Sequence, residues 1–117
     1  MLPARNRMKR STEFDNTVRF GIRAVQPDLV IHAHRGVDET GPRVGVVVTK
    51  AVGSAVERHR VARRLRHVAR RLLTDMDRRE LVVIRALASS RCATSTRLEE
   101  QLKAGLRRIH ERTRTGR

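Results

Sequence analysis

Ser54-Ala-Val-Glu-Arg-His-Arg-Val-Ala-Arg-Arg-Leu-Arg-His-Val-Ala-Arg-Arg-Leu-Leu73 is the stretch on which the reading of this chain turns. At about 100° per residue, Val61, Ala62, Leu65, Val68, Ala69 and Leu72 fall on one stripe, so the segment is an amphipathic helix that packs this stripe on a sheet. A Ser followed three residues later by an acid satisfies two orphan backbone donors at once, and Ser54 with Glu57 marks the helix start. Off the stripe lie Arg60, Arg63, Arg64, Arg66, Arg70 and Arg71, with His59 and His67 among them. The segment also holds Arg58, and Glu57 is its only acid. Like charges three and four residues apart cost a few tenths of a kcal/mol per pair, so a helix shaped by stability alone would interleave acids. This one is built to be neutralised by something anionic.

Outward from this helix the pattern changes to β-type runs. Arg43-Val-Gly-Val-Val-Val-Thr49 precedes it and is nearly all β-branched, Leu81-Val-Val-Ile84 follows it, and Leu29-Val-Ile-His-Ala-His-Arg35 alternates in period two. The three runs read as strands, the first two in chain order joined by Gly36-Val-Asp-Glu-Thr-Gly-Pro42 as an antiparallel hairpin with a longer loop. Thr12 with Asp15 opens an earlier helix to about Phe20, with Gly21 at a left-handed C-terminal position, and Thr96 with Glu99 opens a last helix to about Ile109. The order α-β-β-α-β-α predicts a small α+β sandwich with helices on one sheet. Residues 1–10 are expected to be a loose basic N-terminus, 11–110 the α+β domain that meets the anionic partner, and 111–117 a disordered basic tail.

The balance of charge over the 117 residues agrees, with 27 Lys and Arg against 12 Asp and Glu and a formal net charge of +15. Lys9, Lys50 and Lys103 are the only lysines, so the excess is guanidinium, a planar fork that grips phosphate in a bidentate way and stacks on bases. No apolar run approaches the roughly 18–20 residues of a spanning helix, and Met1 to Arg10 lacks the apolar core of a secretory signal, which places the chain in the cytoplasm and off the membrane. Cys92 is the only cysteine, leaving no internal disulfide and no Cys-based zinc cluster, and no base is evidently paired with it. His32 and His34 share one face of a strand without an evident sulfur or carboxylate ligand beside them. A nuclease working alone would cluster carboxylates around metals, whereas the acids here are scattered. A major-groove DNA reader would carry Asn or Gln beside its arginines, and the basic helix has neither. Composition alone leaves a ribosomal or other structural RNA-binding protein as an alternative.

The stretch Gly53-Ser-Ala-Val-Glu-Arg-His-Arg-Val-Ala-Arg-Arg-Leu-Arg66 resembles the signature of the bacterial ribonuclease P protein family: Gly, then Ala-Val, then Arg-Asn-Arg, then Lys-Arg and a further Arg. Val48-Thr49-Lys50 matches the strand end before that motif, Arg5-Asn6-Arg7-Met8 the basic opening, and Phe14 and Gly21 the first helix and its end. His59 stands where the family has Asn, Ala62 where Lys is usual, and Ser54 where Asn is common. The resemblance spans roughly residues 5 to 110. It implies a left-handed crossover around the basic helix and a division of labour in which an RNA subunit cleaves with Mg²⁺ that it mainly holds itself, the protein alone being inactive. It implies RNA contacts at Arg5, Arg7, Lys50, Arg58, His59, Arg60, Arg63, Arg64, Arg66 and Arg70, and a cleft for the 5′ leader of precursor tRNA at Phe14 and His32. No obligatory protein partner is expected.

Overall fold

A computed structural model describes residues 2–37 and 39–114. Its elements in chain order are helix α1 (Ser11–Phe20), strands β1 (Ile22–Val25), β2 (Leu29–Arg35) and β3 (Arg43–Val47), helix α2 (Ala55–Arg71), strand β4 (Glu80–Ala86) and helix α3 (Ser95–Arg114). The α+β class holds, with one four-stranded mixed sheet in the order β1-β2-β4-β3.

Two expectations about the sheet are corrected. Ile22–Val25 is a fourth strand, and it, not β3, forms the hairpin with β2, antiparallel from Ile22 opposite Ala33 to Val25 opposite Val30. β4 lies between β2 and β3, antiparallel to the first and parallel to the second. The reason is burial: Val82, Val83 and Ile84 are successive residues at 0% exposure, so β4 is covered on both faces and takes a central place. The less buried β3 is left at the edge.

On one sheet face Leu29, Ile31, Val44, Val82 and Ile84 pack against Val61, Leu65, Val68 and Leu72 of α2 and Leu98, Leu102, Leu106 and Ile109 of α3. The stripe read from α2 is this contact, with Ala62 at its half-buried margin. Ser54 caps α2 as expected: its Oγ accepts from the Glu57 amide at 3.2 Å, and its own amide donates to Glu57 Oε1 at 2.9 Å. Gly53, at φ +153°, precedes this cap, where a Cβ would run into the Glu57 carboxylate.

The other two helix starts are shifted. Thr12 lies inside α1, which begins after Arg10 with no side-chain cap, because tertiary contacts fix the helix: Arg43 Nη1 donates to Glu13 Oε2 at 2.6 Å, and the Phe14 ring lies on Gly45. Thr94, not Thr96, caps α3 by accepting from the Arg97 amide at 3.1 Å. Gly21 is extended rather than left-handed, at φ −80°. It is needed for space, since a Cβ there would meet the carbonyl oxygens of Thr17 and Ala33.

The chain ends differ from expectation as well. Leu2 and Met8 are buried, the Met8 amide donates to Val44 O at 2.9 Å, and Arg7 bridges Val44 in parallel, so the opening segment is stitched along β3. At the other end α3 continues through Arg114, and the remainder of the expected tail, 115–117, lies outside the described residues. Asp28, at the β1–β2 turn, ties that hairpin to α3: its carboxylate accepts from Ser89 at 2.5 Å, Gln101 at 2.6 Å and Arg97 at 2.7 Å. These bonds hold its carboxyl below the usual carboxylate range, that from Ser89 contributing most.

Candidate RNA interface

α2 turns its arginines outward with unequal freedom. Arg64 Nη1 donates to Ala93 O at 2.7 Å and pins the turn before α3, while Arg71 pairs with Glu99 at 3.0 Å. Arg58 sits at the sheet-facing margin of the first turn, half-buried, with its Nε enclosed and unpartnered. Arg60 lies near enough to Glu57 to stabilise that carboxylate, which the Ser54 backbone lowers most strongly. Arg63, Arg66 and Arg70 have no carboxylate partner among the described residues. Beside α2, His59, Arg60, Arg63, Arg64 and His67 line an open groove of about 790 Å³ shared with Ala55, Val56 and Ser95. Val56, at 67% exposure, puts an apolar patch in it. Lys50 is exposed in the turn before the helix, Arg5 is exposed, and Arg7 is half-buried with its Nε donating to Leu2 O at 3.2 Å.

The second region is the sheet face away from α2 and α3. Cross-strand register arranges it in rows: Arg43, Leu81 and His34; then Gly45, Val83, His32 and Arg23; then Val47, Arg85, Val30 and Val25. α1 covers the first two, with Glu13 on Arg43, Phe14 on Gly45 and Phe20 tilted against His34 at 6.4 Å between ring centroids. The third row is open at Val25, which is 57% exposed, and at Arg85, while Val47 is half-buried and Val30 buried, and Val18 of α1 is 41% exposed.

Phe14 and His32 lie on the same sheet face, Phe14 on Gly45 and His32 two strands away in the same row with Val83 between, and His32 is not the surface residue that strand alternation suggests. It is 3% exposed, and neither ring nitrogen has a hydrogen-bond partner. Burial first, then the charges of Arg85 and Arg23, push its imidazole below the ordinary value and keep it neutral. Reading the sequence missed Arg23, Val25 and Arg85 as members of this face. The first two lie on the unrecognised β1, whose apolar-polar alternation over four residues was the available signal.

A basic helix beside a half-covered mixed sheet, with Arg63, Arg66 and Arg70 lacking an ion-pair partner among the described residues, marks an RNA-binding α+β protein. The family model for ribonuclease P matches residues 2–110. Over 114 residues the chain is 59% identical to the ribonuclease P protein component of Mycobacterium ulcerans, covering 95% of each chain, and over 110 residues it is 61% identical to that of Mycobacterium leprae, covering 92% of each. In fold it is similar to the RNase P protein of Staphylococcus aureus, at TM-score 0.74 and 19% identity over 87% of this chain and 93% of that one. The RNase P protein of Thermotoga maritima in complex with 1-(4-fluorophenyl)-2-thiourea gives TM-score 0.74 at 19% identity, over 84% of this chain and 94% of that one.

The chain belongs to the ribonuclease P protein family. It is the protein subunit of an RNA-containing endoribonuclease that works in tRNA processing, its partner is an RNA subunit, and the enzyme is generally metal-dependent. A purely structural RNA-binding role is not favoured. No helix among the described residues is long and apolar enough to cross a membrane.

Proposed function

We propose that α2 docks on the catalytic RNA while the open sheet face beside α1 holds the single-stranded 5′ leader of precursor tRNA in the cytoplasm. The observation that carries this reading is the segregation of two unlike surfaces on one small domain. Arg63, Arg66 and Arg70 stand unneutralised on α2, and Val18, Val25, Arg85 and the Phe14 ring border a face that α1 leaves half open. Arg60, Arg64, His59, Lys50 and Arg58 extend the first surface, and Arg5 and Arg7 on the N-terminal segment extend it along the edge of β3.

Phosphate neutralisation supplies affinity without sequence preference, and stacking beside guanidiniums holds unpaired bases without reading them. Hydrolysis belongs to Mg²⁺ bound mainly by the RNA subunit, so this chain contributes by positioning substrate and lowering repulsion between two polyanions. His32 acts here as a buried neutral member of the sheet face rather than as a titrating group. The test is cleavage of precursor tRNA by the cognate RNA subunit at low Mg²⁺, with and without the chain. Equal rates would overturn the reading.

A further inference from the structure

β1 ends the sheet, and beyond its free edge lies a groove of about 610 Å³ bounded by Gly21–Val25 and by Arg108 and Arg112 of α3. Arg112 Nη1 donates to Arg23 O at 3.3 Å, so α3 is fastened to the strand with its guanidiniums along the edge. Arg108 and Arg112 are one helical turn apart, a spacing at which like charges repel, and no acid among the described residues lines the groove. Arg23 and Arg108 have no carboxylate partner among the described residues. The acid at the neighbouring hairpin turn, Asp28, is 4% exposed and already accepts three side-chain hydrogen bonds. Arg23 and Arg108 therefore stand without an ion-pair partner among the described residues, as Arg63, Arg66 and Arg70 do on α2, but on the opposite margin of the sheet.

The groove is also continuous with the open face. Arg23 and Val25 project from that face and also line the groove, so the face and the groove share these two residues along β1. Four residues of β1 extend about 13 Å at ~3.3 Å per residue, the length of roughly two extended nucleotides. We propose that the 5′-distal part of the leader leaves the sheet face at Val25, turns over the edge of β1 and seats its phosphodiesters against Arg23, Arg108 and Arg112. This rests on the leader reading above. The ligand chemistry is single-stranded RNA backbone, so base identity should not matter.

The test uses the assembled ribonucleoprotein with Ca²⁺ in place of Mg²⁺, and dissociation constants for mature tRNA and for precursors with short (about 4-nucleotide) and long (about 12-nucleotide) leaders. The double variant Arg108→Ala/Arg112→Ala, with Arg23→Ala as a second, should bind the long-leader precursor roughly tenfold more weakly while short-leader and mature tRNA stay unchanged. The extra salt dependence of the long leader, about 0.7 in log–log slope per phosphate, should vanish with it. Thermal melts confirm that each variant is folded. An unchanged long-leader increment overturns the proposal. So does equal weakening of all three ligands or of assembly with the RNA subunit, which would give these arginines to another part of the RNA. Phe14→Ala, run in parallel, separates the two readings: loss of the short-leader preference there with an intact long-leader increment in the arginine variants removes this inference alone. If the Phe14 variant keeps its short-leader preference, the leader cleft falls, and this inference falls with it.

Discussion

In the proposed reading the outer surface of α2 and the open sheet face would meet RNA through different physics. On α2 Arg64 and Arg71 are bonded to the fold and Arg58 is half-buried, while Arg60, Arg63 and Arg70 stand exposed, and their work would be done at a distance through charge. On the sheet face valine side chains and one ring form the contact, with two arginines at its margin and a neutral imidazole enclosed beneath α1. The unpaired arginines of the first surface should tolerate substitution without loss of fold, and their interactions are exposed to salt. The second is part of the packing of α1, so its changes are felt by structure and binding together. A small protein can therefore carry a strong, indiscriminate hold and a weak, positional one without the two interfering.

The sharpest way to break this comparison is salt. Affinity for the RNA subunit should fall by orders of magnitude between about 50 and 200 mM if roughly six or more phosphates are neutralised, as read by titration at several ionic strengths. The preference for precursor over mature tRNA should change far less over the same range. Next in size is the split between fold and contact within α2: Leu65→Ala, at 0% exposure, should cost about 2–5 kcal/mol in a denaturant or thermal melt. Arg63→Ala with Arg66→Ala should leave the melt nearly unchanged while weakening assembly. Unfolding of the arginine variant would show that this surface is structural after all.

Phe14→Ala should erode the precursor preference by roughly tenfold, since a base stacked on a ring is worth about 1–3 kcal/mol. Gly45→Ala makes the same point from below, because its methyl group would come within 2.5 Å of Phe14 Cζ and displace the ring without removing it.

The smallest effects concern pH. A buried imidazole with a depressed pKa stays neutral in the fold but takes up a proton in the unfolded chain, so His32 should lower stability as pH falls below about 6.5. His32→Phe should flatten that slope. Asp28 has the depressed pKa of a bonded carboxylate, so its contribution is present above the ordinary carboxylate range and is lost only as pH falls below about 4. The two steps are separable in melts taken from pH 7 to 3.

Much of the molecule could be read before any coordinates. The cap at Ser54, the stripe through Leu65 and the one-sided arginines are written in local spacing, and local spacing is what a helix obeys. Strand neighbours are not local: nothing in Gly36 to Pro42 shows that β4 will enter between β2 and β3, and only the two-sided burial of Val82 to Ile84 explains it. β1 escaped notice because four residues with an arginine among them give too short an alternation. Likewise, strand alternation told which face His32 is on but not that α1 covers it, because that depends on Phe14 finding the bare backbone of Gly45.

The pairing of Arg7 with Val44 also bears on solubility. A sheet has two edges, and each is an invitation to another chain. β1 refuses it by being short and by carrying Arg23 with Arg112 across its backbone. β3 is richer in valine and lacks such a guard, so the N-terminal segment occupies part of its edge by way of the Met8 amide and the Val44 carbonyl. Trimming those first residues to simplify the protein would uncover a valine-lined edge and should favour the addition of strands from other copies.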